Sequence, residues 1–319
     1  MHVRRAESVD RRVFLSRAVC AAAGAGAGLL CTSRGTAAEK GRWKMRLSTS
    51  SVQFSSLTVE KACQRIAALG FEGIDFWPKN IFQCPHLEEI EKRLGPAGLK
   101  EVLAKNGLKL NAMTCYLAGP AGTPDYITGY RKYAELLGKC GGGVAVCSAP
   151  DKGKDDLRAR MKAFMEKLKP QAELAEKYDS YLAIENHGMR LLNSLDSFKA
   201  FVELNHSPRI GIALAPYHLQ AAGISVEETI RVVGPQLQFF YAWQYVKQSK
   251  PDATLGGIAQ LPGIGSTDCA PWLAALAEVN YRGYVNPFMH HHPGVEEMAA
   301  ALARSRDYLK RCYASAVPS

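Results

Sequence analysis

The sequence predicts an α/β fold, a single (β/α)8 barrel, on three observations. Eight short apolar runs alternate with eight helical stretches over about 270 residues, the number of units such a barrel needs. Each run is roughly four to six residues long and leads into a helix, which implies parallel pairing. The segment after the first run, Ser50-Ser51-Val52-Gln53-Phe54, has no glycines. A doubly wound open sheet binding a nucleotide, the alternative, would want a Gly-rich turn there.

The units follow in order. Residues 45–54 read as the first strand and 57–69 as its helix, with Val59, Cys63 and Ile66 at helical spacing and Gly70 as the stop. Residues 73–77 are a short second strand. Residues 86–106 carry a helical pattern interrupted near Gly95-Pro96. The third strand is 109–116, followed by a helix over 126–137. The fourth is 143–148, followed by a long charged helix over 155–178. The fifth strand is 181–185, and Ser194 opens the next helix through Leu204, with Asp196 and Ser197 in its first turn. The sixth strand is 210–214. Ser225, with Glu228 three residues later, then starts a helix in a capping-box pattern. The seventh strand is 237–243. A helix over 270–279, an eighth strand over 284–288 and an amphipathic helix over 294–312 complete the series.

Composition sets the broad class. Of 319 residues, 47% are hydrophobic and 22% charged, which excludes a disordered chain, a collagen and a polytopic membrane protein. The net charge is +10, but residues 1–38 hold six arginines against two acids, which leaves +6 dispersed over the rest. That balance gives no reason to expect a nucleic-acid partner.

Residues 1–38 read as an address. Arg11-Arg12-Val13-Phe14-Leu15 precedes a 13-residue apolar run over 18–30, too short to span a bilayer, and Thr36-Ala37-Ala38 suits cleavage. The arginine pair resembles a twin-arginine export signal, although Asp10 stands where that signal often has Ser. Leu30 before Cys31 is too large for the usual lipoprotein cleavage. The expected mature domain is therefore residues 39–319, delivered by the twin-arginine machinery to the periplasm or another extracytoplasmic space, with no stable membrane insertion after cleavage. Seven cysteines remain after Cys20 and Cys31 leave with the signal, with no Cys-x-x-Cys pair.

A barrel of this kind carries its chemistry at the C-terminal ends of the strands. Those ends hold Asp75 and Trp77; Tyr116; Glu185, Asn186 and His187; His218; Tyr241, Trp243 and Gln244; and His290, His291 and His292. Aromatic faces such as Trp77, Tyr116 and Trp243 suit the apolar face of a sugar ring. Glu185 follows Leu182-Ala183-Ile184 at the mouth of an apolar barrel, where a carboxylate needs a cation, an Arg or a proton. His187 and His218 are candidate acid–base groups or metal ligands. In the His290–His292 run, neighbours on an extended chain point to opposite sides, so at most two can enter one site.

These residues carry a family resemblance. The run 68–75, Ala-Leu-Gly-Phe-Glu-Gly-Ile-Asp, resembles the "LGF-x-G-(I/V)-E" second-strand motif of the sugar phosphate isomerase/epimerase family of xylose isomerase-like TIM barrels. Leu182-Ala183-Ile184-Glu185-Asn186-His187 resembles its "ENH" fifth strand. Leu261-Pro262-Gly263-Ile264-Gly265 with Asp268 resembles its "PG-x-G-x-x-D" loop, and Tyr281-Arg282-Gly283-Tyr284 the entry to its last strand. The resemblance implies one divalent metal held by Glu, Asp, His and Glu from strands five to eight. It also implies two carboxylates moving a proton between adjacent carbons.

Carried over by position, only Glu185 survives of that set. The sixth-strand "D-x-x-H" reads Ala215-Pro216-Tyr217-His218, keeping only its His; the seventh-strand His falls near Tyr241 and the last Glu near Phe288. A rebuilt metal site would use Glu185, His218 and His290, with Zn, Mn, Mg or Co as the ion; a metal-free site is the alternative. The implied activity is proton transfer beside the carbonyl of a carbohydrate or sugar acid. Glu185, His187 and His218 would be the catalytic groups, and Asp75, Trp77, Tyr116, Asn186, Tyr241, Trp243 and Gln244 would bind the substrate. A sugar-binding barrel without chemistry is the second reading. An abasic-site nuclease, the third, would need more His and carboxylate ligands than these strand ends offer.

Overall fold

The computed structural model describes residues 43–80, 82–117, 121–247, 257–290 and 293–317. Residues 1–38, read from sequence as an export signal, and His291 and His292 lie outside these residues. Eight strands run in chain order: β1 (Ser48–Ser50), β2 (Gly73–Phe76), β3 (Lys109–Thr114), β4 (Val144–Ser148), β5 (Tyr181–Glu185), β6 (Ile210–Leu214), β7 (Leu237–Ala242) and β8 (Val285–Pro287). Each pairs in parallel with the next. A parallel bridge between Leu47 and Val285 brings the last strand back to the first. Thr49 Oγ1 and Gln53 Nε2 reinforce that seam by donating to the Pro287 carbonyl at 3.2 and 3.1 Å.

The surrounding helices are α1 (Val59–Ala68), α2 (His86–Glu89), α3 (Gly95–Lys105), α4 (Pro124–Lys139), α5 (Leu157–Lys167), α6 (Lys169–Lys177), α7 (Leu195–Leu204), α8 (Pro216–Ala221), α9 (Val226–Val233), α10 (Ala270–Glu278) and α11 (Val295–Ala316). Among the described residues no helix is long and apolar enough to cross a membrane.

The period of two along each strand sorts side chains between two cores. Ile74, Phe76, Met113, Ile184, Ile212 and Phe240 pack outward beneath the helices. Ala112, Val146, Ala183, Ala213, Phe239 and Tyr241 fill the barrel interior. The same alternation carries inward-facing positions to the strand ends. Glu185 follows Ala183 by two, Trp243 follows Tyr241, and Tyr116 follows Thr114.

The structure departs from the sequence expectations in three main places and bears out a fourth. The first strand is only three residues long, because Ser51–Phe54 coils into a 3-10 turn. The long helix expected over 155–178 is two helices. Pro170 has no N–H to donate and sits in the first turn of α6, so the chain restarts there. The break expected near Gly95-Pro96 is present, with a π-turn over Ile90–Leu94 before Gly95. The short helix α8 was not expected; it places His218 one turn past β6.

Ser194 caps α7 with a reciprocal pair: its Oγ accepts from the Ser197 amide, and the Ser197 side chain accepts from the Ser194 amide. At α9 the Ser225 Oγ accepts from the Glu228 amide but donates to Glu227, so only half of the expected box forms. Replacing Ser194→Ala should cost about 1 kcal/mol. A urea titration that leaves the unfolding midpoint unchanged would refute that role for the serine.

Candidate active site

The inward-facing strand ends enclose one cavity of about 690 Å3 at the C-terminal mouth of the barrel. Of the residues predicted for the site, Trp77, Tyr116, Glu185, His187, His218, Trp243 and His290 line it. Asp75, Asn186, Tyr241 and Gln244 do not stand on its wall; they hold other parts in place.

Asp75 is fully buried. It lies between the outward-facing Ile74 and Phe76, so the strand alternation turns its carboxylate into the barrel. There it accepts from Ser50 Oγ at 2.8 Å, from the Trp77 indole N–H, and from both the amide and the hydroxyl of Thr114 at 3.0 Å. The Thr114 hydroxyl has one proton, and it goes to Asp75. Tyr241, 2.9 Å away, therefore donates to Thr114. Burial pushes the Asp75 carboxyl up to about 7, while these four donors pull it back toward ionisation.

Asn186 and Gln244 spend their amides on backbone. Asn186 donates to the Ala215 carbonyl and accepts from the Ala215 amide, at 3.1 and 2.6 Å, pinning the end of β6. Gln244 donates to the Ala259 and Leu261 carbonyls and accepts from the Thr267 amide, which folds the 257–267 segment under β7. The sequence expectation had both side chains bind substrate; here their amides hold backbone in place.

Glu185 is the buried carboxyl on the wall. Tyr116 donates its hydroxyl to Oε2 at 2.6 Å. Burial raises the Glu185 carboxyl to about 7; the Tyr116 hydrogen bond opposes this and the Asp75 charge adds to it. Tyr116 reaches Glu185 with φ at +35°, a left-handed backbone that costs a bulky residue about 1–3 kcal/mol. Burial holds the Tyr116 hydroxyl well above its usual range, so it stays a donor.

The imidazoles are neutral. Burial, reinforced by His187 and His290, lowers His218 to about 3. Burial and Arg190 lower His187 as well. The two rings lie 4.1 Å apart. His187 Nδ1 accepts from the Met189 amide, so in the neutral ring the proton is on Nε2. Aromatic rings extend this wall. Trp243 stacks on Tyr217 at 4.2 Å and meets His290 at 4.5 Å; Trp77 stacks on Phe288 at 5.1 Å and meets Phe82 at 6.2 Å.

Sequence reasoning missed Arg190, Asp151 and Tyr126 on the cavity wall. Arg190 donates to Asp151 Oδ1 at 2.6 Å, joining the loops after β4 and β5. These residues sit in loops or on a helix face, where no strand-end rule points. The only available signal for Arg190 was its place three residues after His187.

A profile of xylose isomerase-like TIM barrels matches residues 63–312. The chain belongs to that family. No curated protein sequence is a significant match. Solved structures similar to this family member include a xylose isomerase domain protein from Alicyclobacillus acidocaldarius, 18% identical, covering 86% of this chain and 99% of that one with a TM-score of 0.68. A 3-keto-D-glucoside 4-epimerase from E. coli is 16% identical over 83% and 100%, with a TM-score of 0.64. A D-psicose 3-epimerase from Clostridium cellulolyticum, solved with D-tagatose, is 14% identical over 84% and 99%, with a TM-score of 0.67. At these identities the likeness is one of fold.

The donor set does not fit the metal that the family resemblance implies. Ala215 offers a methyl group, the Tyr241 hydroxyl is bonded to Thr114, and Phe288 stacks on Trp77. The rebuilt set proposed from sequence is not gathered either. Glu185 is held by Tyr116, and the His218 and His290 rings both pack against the Trp243 indole, at 5.2 and 4.5 Å. Among the described residues no group of three or more His, Cys, Asp or Glu side chains is placed to share an ion.

Two outcomes are expected. Chelation with EDTA should leave the melting temperature and sugar binding unchanged, checked by thermal scans beside elemental analysis. The second concerns pH. The native Glu185 carboxyl keeps its proton up to about 7, whereas the unfolded chain releases it near 4.5. The native state thus binds more protons between those values, and stability falls as pH rises through them. Asp75, raised to about 7 too, contributes a fall over the same window, so Glu185→Gln should lessen the fall between about pH 5 and 8 and leave the Asp75 share. An identical pH dependence of melting in the variant would show that Glu185 ionises normally.

Proposed function

We propose that the protein is a sugar isomerase that moves a proton between adjacent carbons of an open-chain sugar, with Glu185 as the proton carrier. The observation that carries this reading is the buried Glu185 carboxyl on the cavity wall, raised to about 7 and held by Tyr116 at 2.6 Å. A carboxyl poised near neutrality takes a proton readily and returns it readily. Family membership and the sugar epimerases among the similar folds support the substrate class.

The steps use this chain's own groups. Trp77 and Trp243 offer apolar faces to the sugar. Glu185 removes the proton from the carbon beside the carbonyl, and the carbonyl oxygen gains charge as an enediolate forms. Neutral His187 offers its Nε2 proton to that wall, and His218 is held uncharged beside it, so neither pays for desolvating an imidazolium. The proton of the adjacent hydroxyl passes to the former carbonyl oxygen, which leaves the adjacent oxygen to become the new carbonyl, and Glu185 returns the carbon-derived proton to the former carbonyl carbon on the same face. Tyr116 stabilises the carboxylate in the interval when Glu185 is ionised.

One carboxyl favours isomerisation over epimerisation. Inverting a centre needs proton donors on two faces, and the other acid on the wall, Asp151, lies at an exposed rim paired with Arg190. The substrate is a free sugar or sugar acid, encountered outside the cytoplasm. That placement rests on Arg11-Arg12 and the apolar run that follows. The second reading, a binding barrel without chemistry, draws on Ala215, Tyr241 and Phe288 standing where the family resemblance puts ligands.

Solvent-deuterium exchange into aldoses and ketoses, followed by NMR, separates the readings. The native protein should exchange the C1 or C2 hydrogen and should also carry some C2 label to C1. Glu185→Gln should lower the rate by about 10²–10⁴, and Tyr116→Phe by less. Sugar binding without any exchange would leave the non-catalytic barrel.

A further inference from the structure

The cavity is built in two halves of different chemistry, with the Glu185–Tyr116 pair on the border. One half is a continuous arc of rings from the ends of β2, β8, β7, β6 and β5. Trp77 meets Phe82 at 6.2 Å, Phe82 meets His290 at 4.7 Å, His290 meets Trp243 at 4.5 Å, Trp243 meets His218 at 5.2 Å, and His218 meets His187 at 4.1 Å. The other half lies over β3, β4 and the start of α4. Its wall includes Leu117, Ala121, Tyr126, Ser148, Asp151 and Arg190, with no indole or imidazole among them.

Two features of the second half point to a ligand group. Tyr126 is 4% exposed, and among the described residues the polar group beside its buried hydroxyl is the Cys147 thiol, a weak partner. A buried hydroxyl without a strong partner costs about 1–3 kcal/mol, which a ligand oxygen would recover. At the rim, Arg190 carries a fork of donors, of which the contact with Asp151 engages one nitrogen. Size points the same way. Pockets of about 300–1,000 Å3 hold ligands well above a single sugar ring, and this one is about 690 Å3.

We infer that the β3–β4 half is a second sugar subsite, so that the substrate is a reducing oligosaccharide, of disaccharide size, and not a free monosaccharide. This deepens the proposed isomerase reading and rests on it for the identity of the reacting unit. The chemistry is consistent. Proton transfer between C1 and C2 needs a free reducing end, so the reacting unit is the reducing one, seated in the ring-lined half beside Glu185. The second unit is joined through a hydroxyl remote from that end. It crosses the border and places hydroxyls on Tyr126 and Arg190.

The test is calorimetric binding of a panel of reducing disaccharides and their component aldoses to the native protein, to Tyr126→Phe and to Tyr126→Phe/Arg190→Ala. Tyr126→Phe keeps the ring and its packing, and circular dichroism verifies the fold of both variants. At least one disaccharide should bind on the order of tenfold tighter than its aldose. The double variant should reduce that disaccharide to the affinity of the aldose, with aldose binding unchanged. Aldoses binding as tightly as every disaccharide would overturn the subsite, as would a preference that survives the double variant. The readout is binding, so it stands apart from the isomerase reading. A disaccharide preference without proton exchange would keep the subsite and sink the isomerase, whereas exchange with no size preference would do the reverse.

Discussion

A carboxylate sealed inside the barrel governs the arrangement of this site. Asp75 has no access to solvent, so its charge is tolerable only because donors surround it. They come from three elements: Ser50 at the end of β1, Trp77 just beyond β2, and Thr114 at the end of β3, with Tyr241 of β7 behind Thr114. The consequence is positional. The indole that bonds Asp75 is the one that stacks on Phe288 and faces the cavity. Thr114 lies two residues before Tyr116, which bends into a left-handed backbone to reach Glu185. The negative charge of Asp75 also helps keep Glu185 protonated. One buried carboxylate thus anchors an aromatic surface and a strand end, and adds to the burial that raises a second carboxyl.

The barrel and its inward-facing positions were legible because they follow from a period of two. Ala183 faces inward, so Glu185 does too; the same count places Tyr116 and Trp243. Hydrogen-bond commitments were not legible. Asn186 and Gln244 look like substrate-binding amides in sequence, and nothing local shows that Ala215 and the 257–267 segment consume them. Loop residues were equally hidden. Arg190 and Tyr126 reach the wall only because the loops after β4 and β5 are joined and because α4 begins where it does. Proline was the exception among local signals: Pro170 could have predicted the α5–α6 break from its missing N–H alone.

The positions that carry ligands in the family resemblance are refilled, not emptied. Phe288 completes a stack with Trp77, and Tyr241 completes a hydroxyl chain to Asp75. A metal site needs several unshielded oxygens or nitrogens converging on one point, whereas here the same strand ends make packing contacts with one another. Apolar contact and directed hydrogen bonds, not converging ligands, fix this wall. Glu185 is the buried carboxyl among the residues that line it, and Asp151 stands at the exposed rim.

The seam between β1 and β8 has a bearing on how the molecule comes into being. Thr49 and Pro287, bonded across it, stand 238 positions apart. Strands β1 and β8 are the two shortest, three residues each. Until β8 is available, β1 keeps an open edge and Ser50 lacks its neighbour Asn286. The cylinder therefore closes only after the first seven strands are made, and its closing contact is among the most non-local of the described residues. A nascent chain carrying the first seven strands is an open sheet with two exposed edges, the state most prone to pair with another copy. The arrival of β8 brings those two edges together through the parallel Leu47–Val285 bridge.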